Sequence, residues 1–205
     1  KDPDTIKKPG MSSLALAETP TAFHVTVIPD APFLVMPESS SEKREYAPIG
    51  WHEPPTVPSN LVRIVKDASL IDFALCMSAM HMAWLRTIGG RIKSDYRYSI
   101  GLVYNNFPMP PQGNLSKIEQ LAQAILDARA NYPEASLSDL YDPDTMPADL
   151  RRAHHANDRA VDRLYRKAAF KSERDRVEHL FQLYEKMTDP LFAKPEMKKR
   201  ITREN

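Results

Sequence analysis

The segment from Ser78 to Pro110, SAMHMAWLRTIGGRIKSDYRYSIGLVYNNFPMP, is the most informative part of this chain. It joins a helix-like run, a Gly-Gly break and a regular alternation of polar and apolar side chains. Alternation with a period of two is typical of a β-strand, whose successive side chains point to opposite faces. We therefore predict a strand over residues 91–102, directly after a helix whose last turn carries Arg86.

The two faces of this predicted strand differ in chemistry. One face is mostly apolar and aromatic and consists of Ile92, Ser94, Tyr96, Tyr98, Ile100 and Leu102. The other face is charged almost throughout and consists of Arg91, Lys93, Asp95, Arg97 and Ser99. An antiparallel strand of this kind packs its apolar face on a core. Its charged face is either an ordinary solvated surface or a surface that meets a charged partner.

Three motifs in and before this segment occur in the order found in a known enzyme family. They are SSSEKREYAPIGW at 39–51, SAMHMAW at 78–84 and GRIKSDYRYSIGLVYNNFP at 90–108. With them, the chain resembles the target-recognition domain of MmeI-type single-chain restriction–modification proteins and similar adenine-specific DNA methyltransferases. Residues 117–165 are similar to the helical domain that closes those proteins.

The resemblance implies sequence-specific recognition of double-stranded DNA within a larger enzyme. That enzyme would methylate adenine N6 with S-adenosylmethionine, and it would carry an endonuclease in some members of the family. The methyltransferase domains would lie outside this chain. Among only six glycines there is no Gly-rich cofactor fingerprint, and Asn106-Phe107-Pro108 lacks the consecutive prolines of a methyltransferase loop. We therefore predict no catalytic, cofactor-binding or metal-binding residue here, and no methylation by the chain alone.

The charged residues suggest how DNA would be bound. We predict that Lys93 and Asp95 read one G·C pair, because an ammonium donates to guanine O6 and N7 and a carboxylate accepts from cytosine N4. On a strand their Cα atoms would lie roughly 6.6 Å apart. The alternative is a surface Lys–Asp contact of little consequence. The predicted contacts to the DNA backbone are all basic, and they are Lys43, Arg44, Arg86, Arg91 and Arg97.

Composition excludes several other classes of protein. Lys and Arg number 28 against 27 Asp and Glu, which leaves a net charge of +1 and excludes a strongly basic wrapping protein. A single cysteine, Cys76, excludes a disulfide framework and fits the cytoplasm. No apolar run approaches the length of a membrane span. Because the chain opens on Lys1, we expect it to be part of a longer protein.

We predict an α+β fold, with a small mixed β/α recognition domain followed by a compact helical domain. The expected boundaries are a linker at 1–21, the target-recognition domain at 22–112 and the helical domain at 113–205. Proline and β-branched patterns predict strands, at 23–28, 33–36, 45–50 and 61–65. Helical periodicity predicts helices, at 69–88, 115–130, 148–169 and 172–187.

Histidine and aspartate on the predicted helix 148–169 raise the question of a metal site. His154, Asp158 and Asp162 align at intervals of four residues, but a solvated helix face is the stronger interpretation. His81 has no second ligand at suitable spacing on its helix. The rival to DNA recognition is a protein-interaction module, in which the helical half docks a partner and the charged strand face only keeps the chain soluble.

Overall fold

The computed structural model describes residues 10–21, 29–59, 61–110 and 115–192. Small antiparallel sheets pack with a larger set of helices, which confirms the predicted α+β class. In chain order the elements are α1 (Met11–Glu18), β1 (Phe33–Pro37), β2 (Ser39–Ser40), β3 (Gly50–His52), β4 (Val62–Val65), α2 (Leu70–Cys76), α3 (Ala79–Ile88), β5 (Gly90–Ile92), β6 (Asp95–Arg97), a π-helical turn (Ile100–Tyr104), α4 (Leu115–Ala130), α5 (Leu137–Leu140), α6 (Ala148–Tyr165) and α7 (Glu173–Phe192).

The strands form two three-stranded antiparallel sheets, and the chain passes directly from a strand of the first to a strand of the second. The first sheet has the order β3-β1-β4, and the second has the order β2-β6-β5. Because β1 ends at Pro37 and β2 begins at Ser39, the chain passes from one sheet to the other at Glu38. The Glu38 carbonyl accepts a hydrogen bond from Tyr98 N at 2.8 Å, which ties this crossing to the residue after β6.

The core runs without interruption through the strands and helices on both sides of the predicted boundary. Helix α4 packs against α2 and α6, and α3 packs against α7. Buried side chains of one cluster come from early and late parts of the chain, including Met36, Trp84, Ile125 and Leu150. The predicted domain boundaries stay a prediction, since residues 111–114 lie outside the described ranges.

The helix start at Ser69 is confirmed with its capping box. The Ser69 side chain accepts from Asp72 N at 3.2 Å, and the Asp72 carboxylate accepts from Ser69 N at 2.8 Å. The predicted single helix over 69–88 is wrong, because α2 ends at Cys76 and α3 begins at Ala79. Ser78 Oγ donates to Leu75 O at 2.6 Å and accepts from His81 N at 3.2 Å, so it ends one helix and caps the next.

The other predicted strands and helices agree with the structure to different degrees. Strands at 33–36 and 61–65 and helix 115–130 are confirmed, with shifts of at most one residue. The predicted strand 45–50 is wrong, because only Gly50 joins a sheet, and Pro48 has no N–H for a ladder. The helix predicted over 148–169 ends at Tyr165, where the following residue is extended. The predicted strand 23–28 lies outside the described residues.

The predicted linker contains a short helix, α1. Its described side chains are all exposed. None of the helices in the described ranges is long and apolar enough to cross a membrane.

Candidate nucleic-acid interface

The charged segment after α3 is a hairpin and not the single strand that alternation predicts. Strands β5 and β6 pair antiparallel, with Ile92 opposite Asp95 and Gly90 opposite Arg97. Lys93 and Ser94 form the two-residue turn between them. Lys93 has φ of 57°, and a positive φ at the first turn position is the pattern of a type II′ turn. The predicted continuous strand over 91–102 is therefore wrong.

This turn rearranges the two faces that a straight strand would have. Tyr96 and Tyr98 are buried as predicted, but Ile92 and Leu102 are each 46% exposed. Beyond β6 the chain enters the π-helical turn Ile100–Tyr104, which ends the alternation. Period-two alternation cannot distinguish a long strand from two short strands joined by a tight turn, because each short strand keeps its own alternation. The turn exchanges the faces, since Ile92 lies opposite Asp95 and Arg91 lies opposite Tyr96.

Lys93 and Asp95 lie at the end of the hairpin, but they do not stand side by side on one strand face. The Lys93 side chain is exposed in the turn, and Asp95 is half-buried as the first residue of β6. The expected spacing of roughly 6.6 Å along a strand therefore does not describe this pair. Both residues still lie at the same end of the second sheet, where the hairpin turns. Their base-reading role stays a prediction.

Arg91 braces the hairpin across its width. Its guanidinium lies 4.0 Å from the centre of the Tyr96 ring and donates to Ser94 O at 2.9 Å. It also lies 3.7 Å from a Glu42 carboxylate oxygen, in the turn that follows β2. Since β2 pairs with β6, this turn and the hairpin turn are neighbours at one end of the sheet. We call residues 41–43 and 91–95 together the recognition edge.

A second group of charges lies where the chain crosses between the sheets. The Glu38 carboxylate accepts from Arg97 at 3.0 Å and lies 3.2 Å from Arg63. The hydrogen bond from Arg97, together with the Arg63 charge, lowers the pKa of Glu38. These side chains border a depression of about 430 Å³ that Leu102 also lines. Two guanidinium groups therefore converge on one carboxylate at the border of this depression.

Sequence reasoning missed Glu38 and Arg63. Glu38 stands alone between two strands, and Arg63 sits on a strand of the other sheet, so no spacing along the chain links them. Their meeting depends on Pro37 pairing with Val62 across β1 and β4. The antiparallel pairing of these two strands, which are separated in the chain by β2 and β3, was the one signal that could have brought them together.

Of the remaining residues predicted to contact the DNA backbone, one is exposed and two are bound to other parts of the protein. Lys43 is exposed in the turn after β2. Arg44 turns toward α5, where it donates to Ser138 Oγ at 2.8 Å and to Ser138 O at 3.3 Å. Arg86 donates to the carbonyls of Arg44 and Glu45 at 3.2 and 3.1 Å. Their predicted phosphate contacts are untested, and Arg97 and Arg91 are the more exposed arginines of the set.

The chain matches known families along most of its length. A family model described as the MmeI target recognition domain matches residues 6–111, and one described as the MmeI C-terminal domain matches residues 109–192. The first of these covers more than half of the chain. The chain belongs to the MmeI target recognition domain family. The match to the MmeI C-terminal domain model covers the part of the chain that follows.

Two relatives of this MmeI-type chain are much longer than the chain itself. DNA methyltransferase A of Bacillus subtilis is 41% identical over 182 residues, which make up 88% of this chain and 20% of that protein. A solved structure of the Type IIL restriction-modification enzyme MmeI in complex with DNA matches with a TM-score of 0.81 at 42% identity. That match covers 89% of this chain and 25% of the solved one. The chain thus spans a quarter or less of either relative.

In this MmeI-type chain, a buried polar seam lies where α6 meets α2, α3 and the loop before β3. Asp158 accepts from Tyr46 Oη at 2.6 Å and from Ala79 N, at the start of α3, at 2.7 Å. Asn157 donates to Ala74 O at 2.8 Å. Burial raises the pKa of Asp158 to about 6, and the two hydrogen bonds oppose that shift.

His154 is fully buried in the same seam. Its ring stacks on Tyr46 at 4.1 Å and lies 2.7 Å from Tyr141 Oη and 3.1 Å from Met77 O. Burial lowers the pKa of His154 to about 3. The prediction of a solvated face for His154, Asp158 and Asp162 is wrong for the first two, because tyrosines and helix ends supply partners that sequence spacing does not reveal. No metal-binding cluster occurs among the residues that the structure describes.

His81 is the other fully buried histidine among the residues that the structure describes. Its Nε2 lies 2.8 Å from Tyr98 Oη, and its ring packs edge-on against Phe107. Burial lowers the pKa of His81 to about 3. A neutral imidazole that holds Tyr98 in place links α3 to the residue that follows β6. His81 therefore connects α3 to the second sheet through its hydrogen bond with Tyr98.

Proposed function

We propose that this chain recognises a specific sequence in double-stranded DNA as part of a longer adenine-N6 DNA methyltransferase or single-chain restriction–modification enzyme. One observation carries the proposal: the chain is 42% identical, with a TM-score of 0.81, to a protein solved in complex with DNA. The recognition edge supports it, because its exposed Lys and Arg side chains suit a polyanion.

In this proposal the hairpin enters the major groove. That groove admits a two-stranded β-ribbon and displays a distinct donor and acceptor pattern for each base pair. Lys93, exposed at the tip, donates to the O6 and N7 acceptors of a guanine. Asp95 accepts from the N4 amino group of the paired cytosine. Since the turn places Lys93 ahead of Asp95, the ammonium reaches deeper into the groove than the carboxylate.

Phosphate contacts would orient the hairpin on the duplex. Arg91 and Arg97 flank it and are both partly exposed, and Lys43 projects from the neighbouring turn. Arginine presents a planar fork of donors that fits phosphate oxygens. Such contacts carry affinity and register without carrying sequence information.

Methyl transfer would belong to the rest of the longer enzyme. We propose S-adenosylmethionine as its methyl donor, bound by a methyltransferase region outside this chain, and we assign no catalytic or cofactor-binding residue to residues 1–205. We place the enzyme in the cytoplasm, where the single thiol of Cys76, buried and unpaired, would remain reduced.

Duplex binding at several salt concentrations tests this function against a protein-interaction module. For the chain alone we expect weak binding, on the order of 10⁻⁴ to 10⁻⁶ M at physiological salt, that falls linearly with the logarithm of salt concentration. Docking of helices on a protein partner would not show that dependence. Duplex binding that is absent even at low salt would refute the proposal.

A matched pair of variants tests whether duplex binding uses the hairpin. Arg97→Ala removes a charge beside the recognition edge, whereas Arg174→Ala removes one from the exposed surface of α7, where it pairs with Glu178. We expect the first to weaken duplex binding and reduce the salt slope by about one. The second should leave both unchanged. Equal effects of the two would show that binding is diffuse and does not use the hairpin.

A further inference from the structure

We propose that the loop of residues 41–46 is a clamped element that holds one side of the recognition edge, and that Arg44, Glu45 and Arg86 are positioning residues for DNA recognition. In this arrangement Arg44 and Arg86 do not contact phosphate. The inference rests on the proposed function, because it assigns roles within the same DNA interface. It replaces two of the five basic contacts that the sequence predicts with an internal role.

Side chains from the helical part of the chain hold each of three consecutive loop residues. Arg44 donates to the Oγ and the carbonyl of Ser138 in α5, at 2.8 and 3.3 Å. Glu45 lies 3.3 Å from Arg151 Nε and 3.1 Å from His155 Nε2, both in α6. The side chains of Arg44 and Glu45 therefore face helices and do not point toward a ligand, and the same holds for Tyr46.

Tyr46 supplies the deepest anchor of the loop. Its hydroxyl donates to Asp158 at 2.6 Å, and its ring stacks on His154 at 4.1 Å. Asp158 accepts in addition from Ala79 N, the first residue of α3. Because Tyr46 is 2% exposed, the end of the loop is fixed to the buried seam.

Arg86 holds the loop backbone from the other side. One of its terminal nitrogens donates to the carbonyls of Arg44 and Glu45, and the other donates to Glu173 of α7. The charge of the guanidinium is therefore paired with a carboxylate, and its other donors are bound to backbone oxygens. It bridges α3 and α7 to the loop, and its position in the last turn of α3 directs it there.

The free end of the loop lies at the recognition edge. Ser40, just before it, pairs with Tyr96 of the hairpin strand, and Glu42 lies 3.7 Å from Arg91. Lys43 N is within 3.4 Å of Ser41 Oγ, which tightens the turn. Because Lys43 directly precedes Arg44, a shift of residues 44–46 would move Lys43 and the adjacent side of the hairpin. The helices thus set the distance between Lys43 and the hairpin turn.

Salt dependence in the longer enzyme separates a positioning role from a phosphate contact. We expect Arg97→Ala to reduce the salt slope of specific duplex binding by about one. Arg44→Ala and Arg86→Ala should keep the wild-type slope and lower the ratio of specific to non-specific affinity by about five- to tenfold. Thermal unfolding of each variant confirms that the chain is folded during the measurement.

Glu45→Gln gives the sharpest result, because the two explanations predict opposite signs. Removal of a negative charge near DNA should strengthen binding if the only effect is electrostatic. We expect specific binding to weaken, since the amide loses its ion pair with Arg151, changes the contact with His155 and releases the loop. Tighter binding by this variant, or a slope change for Arg44→Ala equal to that of Arg97→Ala, would overturn the inference. Loss of salt-dependent duplex binding in the wild type would instead refute the proposed function.

Arg44→Lys completes the set as a conservative control. A lysine keeps the charge and can satisfy a phosphate as a point charge, but its side chain is one bond shorter and does not reach the position of the single Arg44 nitrogen that donates to Ser138 O and Oγ. We expect no rescue of the affinity ratio relative to Arg44→Ala. Full rescue by lysine would assign Arg44 to phosphate and contradict its positioning role.

Discussion

The recognition edge and the buried seam both carry charged and polar side chains, but they use them in different ways. At the edge, Arg91 and Glu42 form a pair that is open to solvent on both sides. Such exposed pairs contribute about 0 to 1 kcal/mol to folding. In the seam, Asp158 and His154 are shielded from solvent and take hydrogen bonds from several elements. An unpaired polar group there costs about 1 to 3 kcal/mol.

This difference separates two tasks within a small chain. Side chains at the edge can be exchanged with little effect on folding, so the edge can vary without loss of the fold, as the proposed function requires. The seam fixes the platform, because each of its polar groups depends on partners in other helices and in the loop of residues 41–46. The comparison therefore predicts large stability changes in the interior and small ones at the hairpin.

The largest effect should come from Trp84, which packs α3 against α7 and the π-helical turn. It is 1% exposed, donates from Nε1 to Val103 O at 3.1 Å, and lies near the rings of Phe181 and Tyr184. We expect Trp84→Ala to reduce the free energy of unfolding by about 3 to 5 kcal/mol in urea denaturation. Leu102→Ala, beside Val103 but half-exposed, is the matched control and should cost less than about 1 kcal/mol. Equal losses would show that the turn is as tightly packed as the helix.

Acid should destabilise the chain through its two buried histidines. Burial lowers the pKa of His81 and His154 to about 3, whereas an unfolded histidine titrates near 6.5. Between those values the unfolded chain binds protons that the folded chain does not, so stability is lost as pH falls below 6.5. By pH 4.5 we expect a loss of roughly 2 to 3 kcal/mol for each histidine. Urea denaturation from pH 7.5 to 4.5 measures it.

Two variants of the seam should change this pH dependence in opposite directions. His154→Gln removes one of the two groups and should flatten the acid loss. Burial raises the pKa of Asp158 to about 6, so between about 3.8 and 6 the folded chain binds its proton more readily than the unfolded chain. Asp158 therefore gives stability that falls as pH rises, which partly offsets the histidines. Asp158→Asn should steepen the acid loss, and a flatter curve would contradict this assignment.

Sequence reasoning succeeded where local chemistry decides the structure. The capping box at Ser69 and Asp72 and the buried face of Phe73, Cys76 and Trp84 follow from short-range patterns, and all are confirmed. The resemblance to the MmeI family, carried by motifs in a fixed order, identified the family that the comparisons show. Its residue roles at the edge remain predictions.

Sequence reasoning failed where contacts between residues far apart in the chain determine which side chains are buried. A polar face at intervals of four residues predicts solvent, yet α6 buries His154 and Asp158 because Tyr46, Tyr141 and Ala79 arrive from elsewhere in the chain. Likewise, no local pattern reveals that Arg44 and Arg86 contact Ser138 and Glu173, because these partners lie far along the sequence. Periodicity describes one element at a time, and these contacts join several.

Exchange of the charges at the hairpin tests the edge directly. We expect Lys93→Glu with Asp95→Arg to change unfolding free energy by less than about 1 kcal/mol, since one residue is exposed and the other half-buried. In the longer enzyme the same exchange should shift the set of modified sequences at one position and keep the others. Sequencing of modified sites measures this. An unchanged set would show that these two residues do not read a base.

The smallest effect on stability should come from Lys93→Gly, and its sign is favourable. Lys93 holds φ of 57°, a left-handed conformation that costs a residue with a Cβ about 1 kcal/mol and costs glycine little. Glycine gives back part of that gain through the greater freedom of the unfolded chain, so we expect an increase of about 0.5 kcal/mol or less. Under the proposed function, recognition should nevertheless weaken, because the turn loses the ammonium that we propose donates to guanine. Urea denaturation and duplex binding on the same sample separate the two quantities. A variant that is more stable and still binds its sequence with wild-type affinity would show that Lys93 shapes the turn and contacts no base.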